Sequence, residues 1–233
     1  RLTMLRMFVE KVPHYSLKHL QGVDDTIMHA GDFIIPLDGF SLVSDGTYLL
    51  KYIPEESYNY VFYSLEELKN KEYSLVASKI LELYLQPILV NSIDDIYKIH
   101  RFLFSDIYWW AGQCRKVNIS KNNKPFIPIQ SFHTAENYIN SLIYNYHKNA
   151  DTREKITNDL ANILDNLNYF HPFREGNGRT QREVIRVLAM MKNYEAIINI
   201  GADDNIYNLY MDGTVYSDKT KLKQLFNIIL RKL

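Results

Sequence analysis

The chain has 233 residues, 46% hydrophobic and 23% charged, a balance that excludes an intrinsically disordered protein and fits one sizeable domain, alone or with a small appendage. Lys plus Arg and Asp plus Glu both number 27, so no global field draws the chain to nucleic acid or an anionic membrane. Any phosphate affinity must come from a local cluster.

The chain begins with Arg1 rather than Met, which fits a fragment or a processed product, and Arg1 to Lys11 lack an apolar signal core. Residues 1–60 carry short apolar stretches broken by Gly, Pro and Asp. Phe33–Pro36, Phe40–Val43 and Thr47–Ile53 read as short strands, with turns at Asp38-Gly39 and Asp45-Gly46. Pro54 to Ser57 reads as a linker. No chemistry is visible in this part.

From about residue 64 the pattern becomes helical. Leu65, Leu68, Leu75, Val76, Ile80 and Leu83 recur mostly at three- and four-residue steps until Pro87 closes the segment. Ser92 is placed to cap a second helix through Ile93, Ile96, Ile99 and Leu103 toward Trp110, with Gly112 as the break. Cys114, the lone cysteine, excludes an internal disulfide and fits a reducing compartment. No His or Asn pattern frames it as a nucleophile, so a small buried side chain is the expectation.

Val117 to Pro128 places short apolar arms around Asn122-Asn123, the pattern of a β-hairpin. An isolated hairpin is marginally stable, so it either packs on the helices or serves as a docking edge. Further helical stripes are Phe132 to Tyr146, Ile156 to Leu167, Ile206 to Tyr210 and Leu222 to Leu230. Val184 to Met191 is apolar almost all round, as in a helix surrounded by others. No apolar run approaches the ~20 residues of a membrane span. The fold class is therefore mainly α.

Between two of these helices lies His171-Pro172-Phe173-Arg174-Glu175-Gly176-Asn177-Gly178-Arg179-Thr180-Gln181-Arg182. The helix before it must stop near Pro172, because Pro disfavours helical geometry in the residue that precedes it. Gly176 and Gly178 permit unusual backbone, and the next helix starts beyond them. A tight loop at a helix N-terminus is an anion site through its N–H groups and dipole. Arg179 and Arg182 can reach the same anion, and that much positive potential suits a triphosphate.

Glu175 inside such a loop makes sense with Mg²⁺ between it and the phosphates. His171 supplies a base near neutral pH. Each piece has a bland counterpart: a structural histidine, a Gly-Asn-Gly turn, a solvated arginine face. His171 and Glu175 as a metal pair lack further ligands to complete a site. In this order the pieces spell out phosphoryl or nucleotidyl transfer.

The segment resembles the signature of Fic-domain proteins, His-Pro-Phe-x-Asp/Glu-Gly-Asn-Gly-Arg-x-x-Arg, and matches every fixed position. Ile99 to Phe104 and Trp110-Ala111-Gly112 resemble the family's helix before its hairpin, and residues 117–128 resemble that hairpin, the flap. The resemblance covers roughly 61–233 and leaves residues 1–60 as an extension of unassigned role. It implies a Fic-type helical bundle that transfers AMP from ATP to a Ser, Thr or Tyr hydroxyl of a target protein, releasing pyrophosphate.

By that resemblance His171 is the base and Glu175 holds Mg²⁺ at the α- and β-phosphates. Gly176, Asn177 and Gly178 line the anion hole, and Arg179 and Arg182 bind the β- and γ-phosphates. Phe173 anchors the loop, Tyr207 lies where the family places an adenine contact, and Ile119, Ser120, Lys121, Asn122, Asn123 and Lys124 dock a target segment. Two alternatives stay open: the same fold with UTP or a choline phosphate as donor, and a regulator that only senses nucleotide. The family's inhibitory Ser/Thr-x-x-x-Glu-Gly/Asn pattern is missing, so the expectation is that either a separate small antitoxin-like protein supplies the inhibitory Glu or a piece lost from one end once did. The alternative is that residues 1–60 fold over the mouth and inhibit by bulk. Location is expected to be cytoplasmic, or inside a host or neighbouring cell after delivery.

Overall fold

The computed structural model describes residues 65–233 apart from Asn122, Asn123 and Ala202, together with four short strands nearer the start. These strands are β1 (Met28–Ala30), β2 (Phe33–Ile35), β3 (Val43–Ser44) and β4 (Tyr48–Leu49), an antiparallel sheet in sequence order. Ser44 pairs with Tyr48, so β3 and β4 are antiparallel neighbours, and the expected Asp45-Gly46 turn between them lies outside the described residues. β2 falls inside the expected Phe33–Pro36, whereas β1 was not anticipated. The expected linker at Pro54 to Ser57 and the Asp38-Gly39 turn lie outside the described residues.

Helix α1 (Leu65–Leu85) ends two residues before Pro87. Helix α2 (Ile93–Phe104) is shorter than the sequence pattern suggested, which carried it toward Trp110. Past Phe104 the chain turns instead: the N–H groups of Ile107 and Tyr108 return to the Phe104 carbonyl. Asp95, rather than the Ser92 side chain, organises the start of α2, accepting hydrogen bonds from Asn91 N–H at 2.9 Å and Ser92 N–H at 3.2 Å.

Two compact units divide the chain, 1–79 with 103–111, and 80–102 with 112–233. Within the first, Tyr108 stacks on Trp110 with ring centroids 4.5 Å apart, and its hydroxyl donates to the buried Glu72 carboxylate.

The second unit holds every residue of the loop and is built around α4 (Arg153–Phe170). Helices α3 (Phe132–Asn149), α5 (Asn177–Met190), α6 (Asp204–Val215) and α7 (Lys219–Ile229) all pack against it. The caps follow from sequence. Thr152 accepts from Lys155 N–H, Asp203 from the N–H groups of Asn205 and Ile206, and Asp218 from those of Thr220 and Lys221. Every residue of α5 from Glu183 to Ala189 is buried, as its all-round apolar pattern requires. Arg186 lies among them with its guanidinium on Glu183 at 2.6 Å and on the Leu83 carbonyl at 3.0 Å, so its charge is neutralised.

Strands β5 (Ser120–Lys121) and β6 (Lys124–Pro125) form the hairpin, joined by the two undescribed residues. Its ladder is shorter than its apolar arms, because Pro125 offers no N–H and Pro128 leads directly into a 3₁₀ turn, Ile129–Ser131. A last pair, β7 (Tyr194–Glu195) with β8 (Arg231–Lys232), ties the end of the chain beside α5. The sequence held no signal for it: the strands are two residues each.

Helices α6 and α7 meet at Gly213, where an added Cβ would lie 2.7 Å from Leu222 Cγ. Gly213→Val should therefore lower the stability of this unit by about 1–3 kcal/mol through overpacking. A thermal melt tests this; an unchanged midpoint would show that α7 is free to shift.

Candidate active site

Phe170 ends α4 because His171 takes the left-handed conformation (φ 43°, ψ 59°) ahead of Pro172. For a non-glycine residue that geometry costs on the order of 1–2 kcal/mol, so other contacts must hold it. Several do. The His171 N–H returns to the Leu167 carbonyl at 3.1 Å, and its own carbonyl accepts from Arg115 Nε at 2.9 Å. The ring stacks on Phe126, centroids 3.8 Å apart, and Nδ1 lies 3.1 Å from the Asn168 carbonyl. A carbonyl only accepts, so Nδ1 carries the proton and Nε2 presents its lone pair. Burial, with minor help from the cations Lys121 and Arg115, lowers the His171 pKa to about 4. Near neutral pH the imidazole is therefore uncharged.

Phe173 turns beneath the loop. It is buried, stacked on His100 at 3.7 Å and edge-on to Tyr97 at 5.8 Å. The Asn177 amide closes on the main chain of the same residue, accepting from Phe173 N–H at 3.0 Å and donating to its carbonyl at 2.8 Å. This reciprocal pair fixes the loop across the first residue of α5. Gly176, at φ 80°, occupies the N-cap in a conformation that favours glycine, and no side chain at that position caps the helix.

His100, from α2, holds the far side. It is fully buried, its Nδ1 accepting from Gly112 N–H at 2.8 Å and its Nε2–H donating to the Glu175 carbonyl at 2.9 Å. Desolvation holds its pKa at about 3, so both hydrogen bonds persist through the physiological range. The Glu175 carboxylate accepts from Gly176 N–H at 2.9 Å and lies 3.6 Å from Arg179 Nη2. Arg182 reaches from the next turn of α5 over the ring of the buried Tyr210, 5.8 Å away. A Cβ on Gly178 would face this same pair, at 3.4 Å from Arg182 Nη1 and 3.6 Å from the Tyr210 hydroxyl.

The structure places Glu175, Gly176, Asn177, Gly178, Arg179 and Arg182 at the start and on the first turns of α5, with His171 at the C-cap of α4 ahead of the loop. Phe173 belongs below the loop rather than on its surface. The Asn177 side chain is committed to Phe173, which leaves its main-chain N–H for an anion. Tyr207 is exposed one turn before Tyr210 on α6. On the flap, Ser120, Lys121 and Lys124 are exposed, and the Ile119 carbonyl accepts from Phe126 N–H at 3.1 Å. Lys124 also donates to the Val215 carbonyl and sits 4.2 Å from the Tyr216 ring centre. Asn122 and Asn123 lie outside the described residues.

Sequence reasoning passed over His100 and Arg115. His100 lay inside the Ile99–Phe104 stretch without a role, and Arg115 was given none. Cys114 itself is half-buried, and burial raises its pKa, which suits the inert reading.

The Fic/DOC family model matches residues 91–189, which contain α2, the flap, the loop and all but the last residue of α5. Residues 91–189 are a Fic domain. Protein adenylyltransferase VbhT of Bartonella schoenbuchensis is 38% identical over 105 residues, 44% of this chain and 22% of that protein. The probable protein adenylyltransferase Fic of Escherichia coli K12 is 28% identical over 169 residues, 71% of this chain and 82% of that one. The present chain thus spans about a fifth of the first relative and most of the second. Among solved structures, BepC of Bartonella tribocorum with bound AMPPNP aligns at TM-score 0.64 and 16% identity, covering 75% of this chain and 91% of that one. A Fic domain from Bartonella quintana with bound ADP gives 0.63 and 19%, covering 73% and 88%. At these identities the structures establish the fold, and it is the Fic fold.

Both His100 and His171 titrate in the folded chain below the ordinary 6.5. The unfolded state therefore takes up protons first as pH falls. The stability that their neutrality supports is intact above about 6.5 and is lost progressively toward the folded values near 4 and 3. The urea midpoint should be lower at pH 5 than at pH 7.5, and His171→Gln should flatten part of that slope. A parent midpoint that does not fall over this window would contradict the buried, neutral state of the two rings.

Proposed function

We propose that the chain is a protein adenylyltransferase, moving AMP from ATP to a hydroxyl of a target protein. The observation that carries this is the pairing of a neutral imidazole, fixed with Nε2 as its free lone pair, with a cation-rich loop at the N-terminus of α5. A nucleotide-sensing module needs the second and has no use for the first. The names of VbhT and the Escherichia coli relative point the same way, as do the nucleotides bound in two neighbouring Fic structures.

In this reading the polyphosphate lies along the first two turns of α5. Main-chain N–H groups at Gly176 to Gly178 meet it, and Arg179 and Arg182 neutralise its β- and γ-phosphates. His171 Nε2 takes the proton of the target hydroxyl as that oxygen bonds to the α-phosphorus. The α,β bridging P–O bond breaks and pyrophosphate leaves, its charge held by the two arginines. The lowered pKa keeps the base unprotonated at pH 7, and the flap aligns the acceptor segment by strand-like pairing along its exposed edge.

Mg²⁺ fits the donor set. Glu175 offers one carboxylate at the mouth of a phosphate site, and no group of three or more His, Cys, Asp or Glu side chains among the described residues forms a cage for an ion of its own. That is the arrangement of a cation that takes most of its oxygens from phosphate and water. When bound, it would supply charge neutralisation at the α- and β-phosphates. Glu175 would turn from Gly176 N–H and Arg179 to hold it.

His171→Ala should lower transfer by about 10²–10⁴-fold while ATP affinity stays within a few fold, because a base acts on the transition state more than on bound nucleotide. Label incorporation from ATP and calorimetry on one preparation read both. Transfer at the parent rate would remove His171 from the chemistry.

Glu175→Ala should abolish nearly all activity at every Mg²⁺ concentration. A mutant that keeps the parent's rate and Mg²⁺ optimum would remove Glu175 from the metal site.

A further inference from the structure

Arg115 is one of the most completely engaged side chains of the domain, and the chemistry described so far leaves it unused. It is 2% exposed. Nε donates to the His171 carbonyl at 2.9 Å, Nη1 to the Val117 carbonyl at 2.6 Å, and Nη2 to the Ile127 carbonyl at 2.5 Å. Its own main-chain N–H donates to Pro172 at 2.7 Å, and its guanidinium lies over the Phe132 ring, 4.7 Å from the centre. Val117 and Ile127 stand at the two roots of the flap hairpin. The third carbonyl belongs to the left-handed residue that carries the candidate base.

A buried cation is a costly way to fill space, and an apolar side chain of similar volume would do that better. What a guanidinium adds is a rigid fork whose donors point in separate fixed directions, which a lysine cannot match. Here the fork takes one carbonyl from each root of the flap and one from His171. The join is reinforced on either side: Phe126 stacks on the His171 ring, and Ile127 N–H donates to the Tyr169 carbonyl at 3.2 Å. Arg115 makes none of its hydrogen bonds to the residues assigned to the phosphates.

We propose that Arg115 is a positioning residue that locks the flap hairpin and His171 into one fixed relation, so that a segment laid along the flap edge presents its hydroxyl to Nε2. The catalytic meaning of this rests on the transfer reaction proposed above; the structural lock does not. It follows that acceptor geometry and nucleotide binding are separately supported, the first by Arg115 and the second by His100 and Asn177. Loss of the guanidinium should damage the proton-transfer step and leave the phosphate site intact.

The test uses the full chain with Arg115→Met and Arg115→Lys, each checked for folding by thermal melt. Three quantities are read: ATP affinity, transfer rate, and the titration and tautomer of the His171 ring by nitrogen-edited NMR. The groups facing that ring are Lys121 from the flap, Arg115 and the Asn168 carbonyl. In the parent the ring should hold its proton on Nδ1 and titrate well below 6.5. In Arg115→Met it should titrate closer to 6.5 with a mixed tautomer. Transfer should fall about 10²-fold, the scale expected of a misplaced reacting group, with ATP affinity within a few fold. Arg115→Lys should recover part of the rate. If Arg115→Met fails to fold, Arg115→Lys carries the same comparison against the parent.

A folded variant with the parent's His171 titration and tautomer would overturn the proposal, as would ATP affinity falling in step with rate. The NMR arm does not depend on turnover. A parent chain that transfers nothing would sink the proposed reaction and still leave the lock to be judged on the ring.

Discussion

The reciprocal hydrogen bonding between the Asn177 amide and the main chain of Phe173 is the constraint on which the site depends. A loop containing two glycines and ending at a helix has many conformations available to it. The amide removes them by giving one donor and one acceptor to a single buried residue, while the Phe173 ring is wedged between His100 and Tyr97. An aspartate there would lose the donor and a leucine both, leaving a buried N–H and carbonyl unsatisfied at about 1–3 kcal/mol each. With the staple closed, Gly176 has to sit at φ 80° and α5 has to begin at Asn177, so its first N–H groups face the position where an anion would lie.

Two other residues carry that order outward. His100 connects the Glu175 carbonyl to Gly112 and so ties α2 and the chain leading to the flap to the loop. Arg115 connects the other end of the loop to the flap roots. Both bury a titratable group, and the hydrogen bonds named above join it to main chain. Main-chain partners move only if the fold moves, which makes them suited to holding a geometry fixed to fractions of an ångström. The charge at the mouth is arranged differently: Glu175, Arg179 and Arg182 are partly exposed, and Glu175 and Arg179 lie 3.6 Å apart.

The helical plan was legible because the helices of the second unit carry their own apolar periods, and the loop because its residue types are so restrictive. Pro172 announced a stop and Gly176 an unusual backbone, and both are used so; Gly178, read as loop with the helix starting beyond it, instead lies inside α5, which already begins at Asn177. The end of α2 was misread because Ile107, Tyr108 and Trp110 continue the apolar content while the backbone has already turned; they are buried by a loop, not by a helix face. His100 and Arg115 were invisible for a different reason. Their importance lies in which carbonyls they reach across 75 and 56 positions of chain, and no local pattern encodes that. The pair β7–β8 was hidden likewise, since two-residue strands have no period to detect.

The proposed reaction would cleave ATP at the α-phosphate and not at the γ-phosphate, with the imidazole and the arginines at opposite ends of the triphosphate. Parallel incubations of the chain and a cell lysate with ATP labelled at one or the other phosphate address this most directly, with protein-bound label resolved by gel and mass spectrometry. The account predicts label on protein from the α-phosphate and none from the γ-phosphate. Label transferred from the γ-phosphate would contradict it, and would make the site a kinase built on a Fic fold.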